Sequence, residues 1–423
     1  MKVIVVGNGI GGFSAASTAR QIDPLCDVTV ISSEAFPLYS ACALPDYISG
    51  HRSREQLFVK TNRDYEQLRI PMQFGQEVRE VDPVSRKLST ARGESLCFDR
   101  LILATGSEAI LPGKTKKGVF KLRTLGDADE LLKHEGRKAV VVGAGPIGIE
   151  IGIALQNRQY EVTIVEMMDN VLPLGLDGRG AGRVKAILAE HGIRVFNGER
   201  SEKILGNGQV EGIVTNKREM KCDTLVWAIG MRPRVDLARE IGIKIGDKGG
   251  IKVDRHMETS IPGIYACGDC VESMDILTGE PYPSLFWHNA NRQGAVAARN
   301  CLGFPVEYPG SQSILNVDVF GNHVAGFGFT EAALHRFENI KGLGGKMATI
   351  SVFEKEENQS YYRLVLLDDR LYGAQFINLD SGAGLLWSLM FRKKSIKDIV
   401  KILNDDTRLI HNPWLRPIKP FFV

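Results

Sequence analysis

The sequence predicts an α/β chain organised around two parallel sheets, because one pattern occurs twice along it. An apolar run leads into a glycine-spaced loop, then a helix rich in small residues, then a second apolar run. Strand-like stretches near the C-terminus add an α+β portion. The first copy reads Val3-Ile4-Val5-Val6-Gly7-Asn8-Gly9-Ile10-Gly11-Gly12 and continues Phe13-Ser14-Ala15-Ala16-Ser17. Consecutive apolar residues at 3–6 fit a strand buried on both faces. The loop is G-x-G-x-x-G: Gly7 permits the tight turn, Gly9 lets a pyrophosphate approach the backbone, and Gly12 lets the helix close on the strand. The helix N-terminus offers unclaimed N–H groups to phosphates. The fold class is therefore α/β, with two Rossmann-like dinucleotide-binding domains followed by a C-terminal α+β domain.

The second copy justifies the plural. Ala139-Val140-Val141-Val142 runs into Gly143-Ala144-Gly145-Pro146-Ile147-Gly148 and a helix through Leu155. Its second strand, Val162-Thr163-Ile164-Val165, ends on Glu166. An acid there accepts hydrogen bonds from an adenosine ribose and repels a 2′-phosphate, so NADH is favoured over NADPH. In the first copy the strand Val28–Ile31 is followed by Ser32, Ser33 and Glu34. The ribose partner is then either Glu34 from a bent strand end or the serine hydroxyls, Ser32 first. One glycine loop is weak evidence. Two, each with strand, helix and second strand in order, are not ordinary turns.

Composition narrows the class further. The chain has 423 residues, 43% apolar and 24% charged, with a formal net charge of +3. That balance is globular, and the small charge excludes a nucleic-acid footprint. No apolar run is long enough to span a bilayer, and Met1-Lys2 opens directly on the first strand, so a cytoplasmic setting is expected. Seven cysteines, an odd number, argue against a disulfide framework.

Four further segments carry a resemblance. Leu101-Ile102-Leu103-Ala104-Thr105-Gly106 is similar to the strand and turn that close the first domain of two-dinucleotide flavoproteins, and Leu225–Pro233, containing Gly230, resembles its counterpart in the NAD domain. Ile264-Tyr265-Ala266-Cys267-Gly268-Asp269 resembles the second FAD motif, and Asn291-Arg292-Gln293-Gly294 with the helix to Gly303 fits the same pattern. Together they resemble the FAD-dependent pyridine nucleotide–disulfide oxidoreductase superfamily over about the first 310 residues. The resemblance implies a FAD domain from 1–108 and 245–311, an NAD(H) domain at 109–244, and an interface domain at 312–423 through which relatives commonly dimerise. It implies FAD held by Gly7, Gly9, Gly12, Ser32, Glu34, Ala104, Thr105, Gly106 and Asp269, the last on the ribityl chain. It implies NAD(H) held by Gly143, Gly145, Gly148, Glu166 and Gly230, with Glu150 near the nicotinamide. In the C-terminal domain, strands are expected at Met347–Phe353, Tyr361–Leu367 and Leu371–Ile377. A hairpin turn is expected at Asp368-Asp369-Arg370 and a helix at Gly382–Phe391.

The electron acceptor is less legible. No C-x-x-x-x-C follows the first glycine loop, which excludes the dithiol branch of the family. Pro37-Leu38-Tyr39-Ser40-Ala41-Cys42-Ala43-Leu44-Pro45 instead resembles the single-cysteine branch of coenzyme A-disulfide reductases, persulfide reductases and NADH oxidases. Cys42 is then a redox thiol. Alternatively it packs near the flavin, because Leu38, Ala43 and Asp46 depart from that branch, and Ile410-His411-Asn412-Pro413-Trp414 lacks its coenzyme A-contacting tyrosine. Glu34–Ser40 also resembles relatives that pass electrons to rubredoxin or other iron–sulfur proteins, some as the NAD(H)-reacting subunit of a larger complex. On these departures the reading leans to hydride exchange between NADH and FAD with an iron–sulfur or rubredoxin-type partner. The alternative is a disulfide or persulfide reductase, or an NADH oxidase, using Cys42. Cys267 and Cys270 form a C-x-x-C inside the flavin turn and read as packing, since no second ligand pair is spaced for zinc. His288 reads as a hydrogen-bonding helix-entry residue or as a proton donor.

Overall fold

The computed structural model of the protein describes residues 1–113, 116–283, 285–335, 349–357, 359–379 and 383–396. The chain divides into two compact units. The first comprises Met1–Ile110, Arg123–Asp129 and Gly230–Gln312; the second comprises Leu111–Leu122, Glu130–Ile229 and the described residues from Ser313 on.

In the first unit a five-stranded parallel sheet runs Ile264–Ala266, Arg100–Leu103, Lys2–Val6, Asp27–Ser32, Met72–Phe74. Val3, Ile4 and Val5 are wholly buried, as a central strand covered on both faces must be. The helix Ile10–Ile22 returns over the sheet and packs along the helix Trp287–Cys301. That second helix starts earlier than its Asn291-Arg292-Gln293-Gly294 motif, so His288 lies inside its first turn rather than before it.

The second unit repeats the plan. Its parallel sheet runs Arg194–Asn197, Glu161–Glu166, Lys138–Val142, Thr224–Trp227, Val119–Lys121. In both sheets the strand feeding the glycine loop is central. Its second strand lies on one side and the strand that closes the unit lies on the other. Each loop therefore sits where the strand order reverses, at the carboxyl ends, which is where open α/β sheets receive ligands.

The same unit carries an antiparallel sheet ordered Ile314–Val319, Asn322–Gly328, Arg370–Ile377, Ser360–Leu367, Ile350–Glu357. The hairpin turn falls on Asp368-Asp369, with Asp368 at φ +56° and its carboxylate accepting the Thr349 N–H at 3.0 Å. Aspartate tolerates that left-handed conformation because its short side chain bonds locally. The helix is Ala383–Phe391. The strand Ile350–Glu357 begins later than Met347, and Met347, Gly382 and the Ile410–Trp414 segment lie outside the described residues. The hairpin Ile314–Gly328 went unread, although Leu315, Val317 and Val319 alternate inward in strand period. Two boundaries also differ. Residues 230–244 lie with the first unit, where Met231–Pro233 pairs antiparallel with Ser107–Ala109, and the chain from Ser313 shares a unit with the second parallel sheet.

Candidate functional site

The two glycine loops have nearly the same geometry. Gly7 and Gly143 stand at φ +110° and +108°, and a Cβ on either would fall 2.1 Å from Ala104 O or 2.3 Å from Ala228 O. A Cβ on Gly12 would lie 1.9 Å from Gly7 O, and one on Gly148 2.0 Å from Gly143 O. The chain itself forbids side chains at these four places. The middle glycines differ. Gly9 and Gly145 are extended at φ −70° and −72°, which any residue adopts, and a Cβ on either would meet no atom within 4 Å. Nothing in the chain's own packing calls for glycine there, whereas a ligand lying against the backbone does. Both residues cap their helices without a side-chain bond, so the first-turn N–H groups face the same space. This is the cradle two pyrophosphates would need, and the residues present fit the groups.

Around the first loop, Asn8 is fixed on both sides, donating to Phe36 O at 3.2 Å and accepting from Tyr65 Oη at 2.9 Å. Ser32 is buried at the strand end, and Glu34 accepts from Tyr39 Oη at 2.9 Å while that oxygen accepts the Leu125 N–H at 3.1 Å. Burial, and then the Glu34 charge, hold the Tyr39 phenol well above its usual range, so it stays a donor. Glu34 is thus turned toward Tyr39. Behind Gly7 runs Ala104-Thr105-Gly106, where Thr105 Oγ1 donates to Arg234 O at 2.7 Å.

Asp269 sits in the short turn Gly268–Cys270. Its Oδ2 accepts from Ser107 Oγ at 2.8 Å and from Arg123 Nη2 at 3.1 Å, and Arg123 Nε also reaches Ser107 Oγ at 3.2 Å. These contacts use one carboxylate oxygen, which leaves Oδ1 as the natural acceptor for a polyol hydroxyl. Neither Arg123 nor Ser107 was read as part of a site. No local motif marks Arg123, which reaches Asp269 across 146 positions.

In the second unit Glu166 is 7% exposed at the end of its strand. Its Oε2 accepts the Ala144 N–H at 2.6 Å and its Oε1 the Met168 N–H at 2.8 Å. The acid expected to meet the ribose ties down the glycine loop, a duty the sequence did not reveal. Glu150 lies in the helix Pro146–Asn157, one turn past the loop. Gly230, at φ +108°, falls in the first unit, where its carbonyl accepts the Ile110 N–H at 3.0 Å.

Cysteine placement is uneven. Cys42 is exposed on the short turn Ala41–Ala43 that enters the helix Leu44–Ser49. Cys267 and Cys270 are fully buried, and Cys270 Sγ donates to Cys267 O at 3.2 Å. Burial pushes both thiols up, Cys267 well above the usual range, so neither is a thiolate nucleophile at neutral pH. Among the described residues no cluster of three His, Cys, Asp or Glu side chains is placed to hold a metal ion. Among them also, no helix is long and apolar enough to cross a membrane.

Two parallel sheets, each with an open glycine-loop cradle at its switch point, define a protein built for two dinucleotides. The family model for pyridine nucleotide-disulphide oxidoreductases matches residues 1–294, and the chain belongs to that family. It is an FAD-dependent NAD(P)H oxidoreductase, a flavoprotein that binds FAD and NAD(H). An NADH oxidase of Methanocaldococcus jannaschii is 33% identical over 423 residues, covering 95% of this chain and 94% of that protein. An assimilatory nitrate reductase electron transfer subunit of Bacillus subtilis is 26% identical over 380 residues, with 88% of this chain aligned to 47% of that protein. Among solved structures, an NAD-dependent persulfide reductase from A. fulgidus superposes with a TM-score of 0.87 at 29% identity, over 95% of this chain and 78% of that one.

Proposed function

We propose that the chain is an NADH-dependent flavoprotein reductase that delivers electrons to a sulfur acceptor, a disulfide or persulfide, at Cys42. The observation that carries this reading is the exposed Cys42 thiol, in the same unit as the first glycine loop and Asp269. Cys97 is the other exposed cysteine, and it lies on a peripheral hairpin strand, Ser95–Cys97. The NAD-dependent persulfide reductase that superposes over 95% of this chain supports a sulfur acceptor over the reading that the departures around Cys42 first favoured.

In this proposal Gly7, Gly9, Gly12, Ser32, Glu34 and the Ala104–Gly106 turn hold the adenosine and pyrophosphate end of FAD. Asp269, anchored by Arg123 and Ser107, accepts from the ribityl hydroxyls. Gly143, Gly145, Gly148 and Glu166 hold NAD(H), with Glu150 toward the nicotinamide. Met1–Ile110, Arg123–Asp129 and Gly230–Gln312 serve the flavin, Leu111–Leu122 and Glu130–Ile229 the nicotinamide nucleotide, and the chain from Ser313 the interface of a cytoplasmic homodimer. The bound pair supplies hydride transfer from NADH to the flavin, which stores two electrons for the acceptor. Cys42 as thiolate attacks one sulfur of the acceptor, releases the other half as a thiol, and holds the remainder as a mixed disulfide until those two electrons free it.

A second reading, electron exchange with an iron–sulfur or rubredoxin-type protein as a subunit of a larger complex, is favoured by the similarity to the Bacillus electron transfer subunit. Cys42→Ser separates the two. Under the thiol reading the variant is still bleached by NADH but loses disulfide or persulfide turnover by about 10³-fold or more, the scale seen when an activated nucleophile is removed. A variant that keeps full turnover with every acceptor sinks the role of Cys42 and leaves the second reading standing.

A further inference from the structure

The turn Ala41–Ala43 that carries Cys42 has no buried residue of its own. What holds it lies on either side. Leu38 before it and Leu44 and Ile48 after it are buried, and polar anchors add to them. Ahead of the turn, Tyr39 pairs its backbone with Phe58, the Ser40 N–H donates to Leu57 O at 2.9 Å, and Tyr39 Oη accepts the Leu125 N–H at 3.1 Å. Beyond it, Tyr47 Oη donates to Asp129 Oδ1 at 2.9 Å. Leu125 and Asp129 stand one turn apart on the same helix, Leu125–Leu132, and so share a face. One short helix therefore grips both sides of the Cys42 turn.

The helix that grips is itself fixed at its start. Asp127 Oδ2 accepts the Arg123 and Thr124 N–H groups at 2.9 and 2.8 Å, and Thr124 Oγ1 accepts the Asp127 N–H at 3.1 Å, a reciprocal cap. The stretch Arg123–Asp129 belongs to the first unit, with Cys42. Asp129 uses its second oxygen as well: Oδ2 accepts from Arg54 Nη2 at 3.1 Å, and that guanidinium lies 5.0 Å from the centroid of the Phe36 ring. One carboxylate thus gathers the helix Leu44–Ser49, which the Cys42 turn enters, and the segment that begins at Arg54. Burial, and then the bond to Asp129, push the Tyr47 phenol up, so it stays a donor.

Magnitudes separate a placing role from a merely stabilising one. The Arg54 and Asp129 side chains are 35% and 26% exposed, and an ion pair that open to solvent adds little to stability. A reacting thiol is far more sensitive to where it stands, since a misplacement of about 1 Å costs about 100-fold in rate. The same contacts therefore count for much more in placing Cys42 than in holding the unit together.

We infer that Asp129 is a positioning residue for Cys42, holding the turn through Tyr47 and Arg54 so that the thiol meets the sulfur acceptor in a productive place. This rests on reading Cys42 as the thiol that takes the acceptor. The test uses the holoprotein with Cys97→Ser, which leaves Cys42 as the exposed thiol, and adds Asp129→Asn or, separately, Tyr47→Phe, which keeps the ring and loses only the hydroxyl. NADH should bleach the flavin of both variants as fast as that of the parent. With cystine or inorganic polysulfide as acceptor, kcat should fall about 100-fold in Asp129→Asn and about tenfold in Tyr47→Phe, while KM holds. Asp129→Glu, which keeps two acceptor oxygens, should recover most of the loss. Alkylation of Cys42 by iodoacetamide, followed on its own peptide by mass spectrometry, should slow about tenfold as the thiolate leaves the place that stabilises it. Cys42 is exposed already, so a turn that is merely loosened gains no access and does not slow. If Asp129→Asn does not fold, Tyr47→Phe carries the same measurements. Unchanged kcat and alkylation overturn the inference, as does a raised KM with kcat kept, or a loss of flavin reduction equal to the loss of turnover. A Cys42→Ser protein that keeps full turnover would instead strike the reading beneath it, while the alkylation rates still report whether Asp129 places the turn.

Discussion

Glu166 is where the geometry makes the sharpest demand. Its carboxylate ends the strand where a ribose partner is proposed, and it accepts two backbone N–H groups, Ala144 at 2.6 Å and Met168 at 2.8 Å. Glu166→Ala therefore removes two things at once. The Ala144 N–H is buried and left unsatisfied, while the half-exposed stretch at Met168 can turn to water, which together costs about 2–3 kcal/mol. For a unit of this size that lowers the melting temperature by about 4–12 °C. The ribose contact is a hydrogen bond to a charged group, so its loss should cut kcat/KM for NADH by about 10- to 100-fold. NADPH, which the carboxylate repels, should lose little, and the preference for NADH narrows. Glu166→Arg should not produce an efficient NADPH enzyme, because the loop anchor goes with the carboxylate. Glu166→Gln keeps the shape but offers one acceptor to two donors, and should fall between. The assay is the ratio of kcat/KM for NADH and NADPH beside thermal unfolding of each variant. If wild type uses NADPH as well as NADH, or if Glu166→Ala keeps both its preference and its melting temperature, the double role of Glu166 is wrong.

Gly9→Val and Gly145→Val should fold, since both positions are extended and open, but each should lose one nucleotide. The first should purify without flavin, and the second should stay yellow without being bleached by NADH; absorption spectra before and after NADH decide it. Gly12→Ala should instead lower stability, because its Cβ would fall 1.9 Å from Gly7 O, and its yield and melting temperature are the measure. Arg123→Met leaves Asp269 without its guanidinium partner, a pair with side chains 24% and 14% exposed. With that partial screening, about 1–2 kcal/mol is expected. It should show as roughly tenfold weaker FAD binding in a fluorescence titration, and unaltered affinity would remove Arg123 from the site.

Much of the fold is written locally. Val3–Gly12 and Ala139–Gly148 each contain a buried-strand pattern, a turn that demands positive φ at its first glycine, and a helix start. All three follow from residues within about ten positions of one another. Asp368-Asp369 likewise announces its hairpin through the residues that tolerate the turn. These features depend on backbone sterics and side-chain period, and the sequence states both directly. Tertiary structure decided what lies across distance. Arg123 meets Asp269 because one short segment of the chain joins the first unit rather than the second, and no local pattern encodes that membership. Glu166 binds the Ala144 N–H because two parallel strands bring a strand end over a neighbouring loop, so an acid legible as a ribose partner is also a structural clamp. The grip of Asp129 on Tyr47 and Arg54 could not be foreseen at all. Whether a buried polar atom has a partner depends on every side chain that packs around it, and only the assembled core fixes that set.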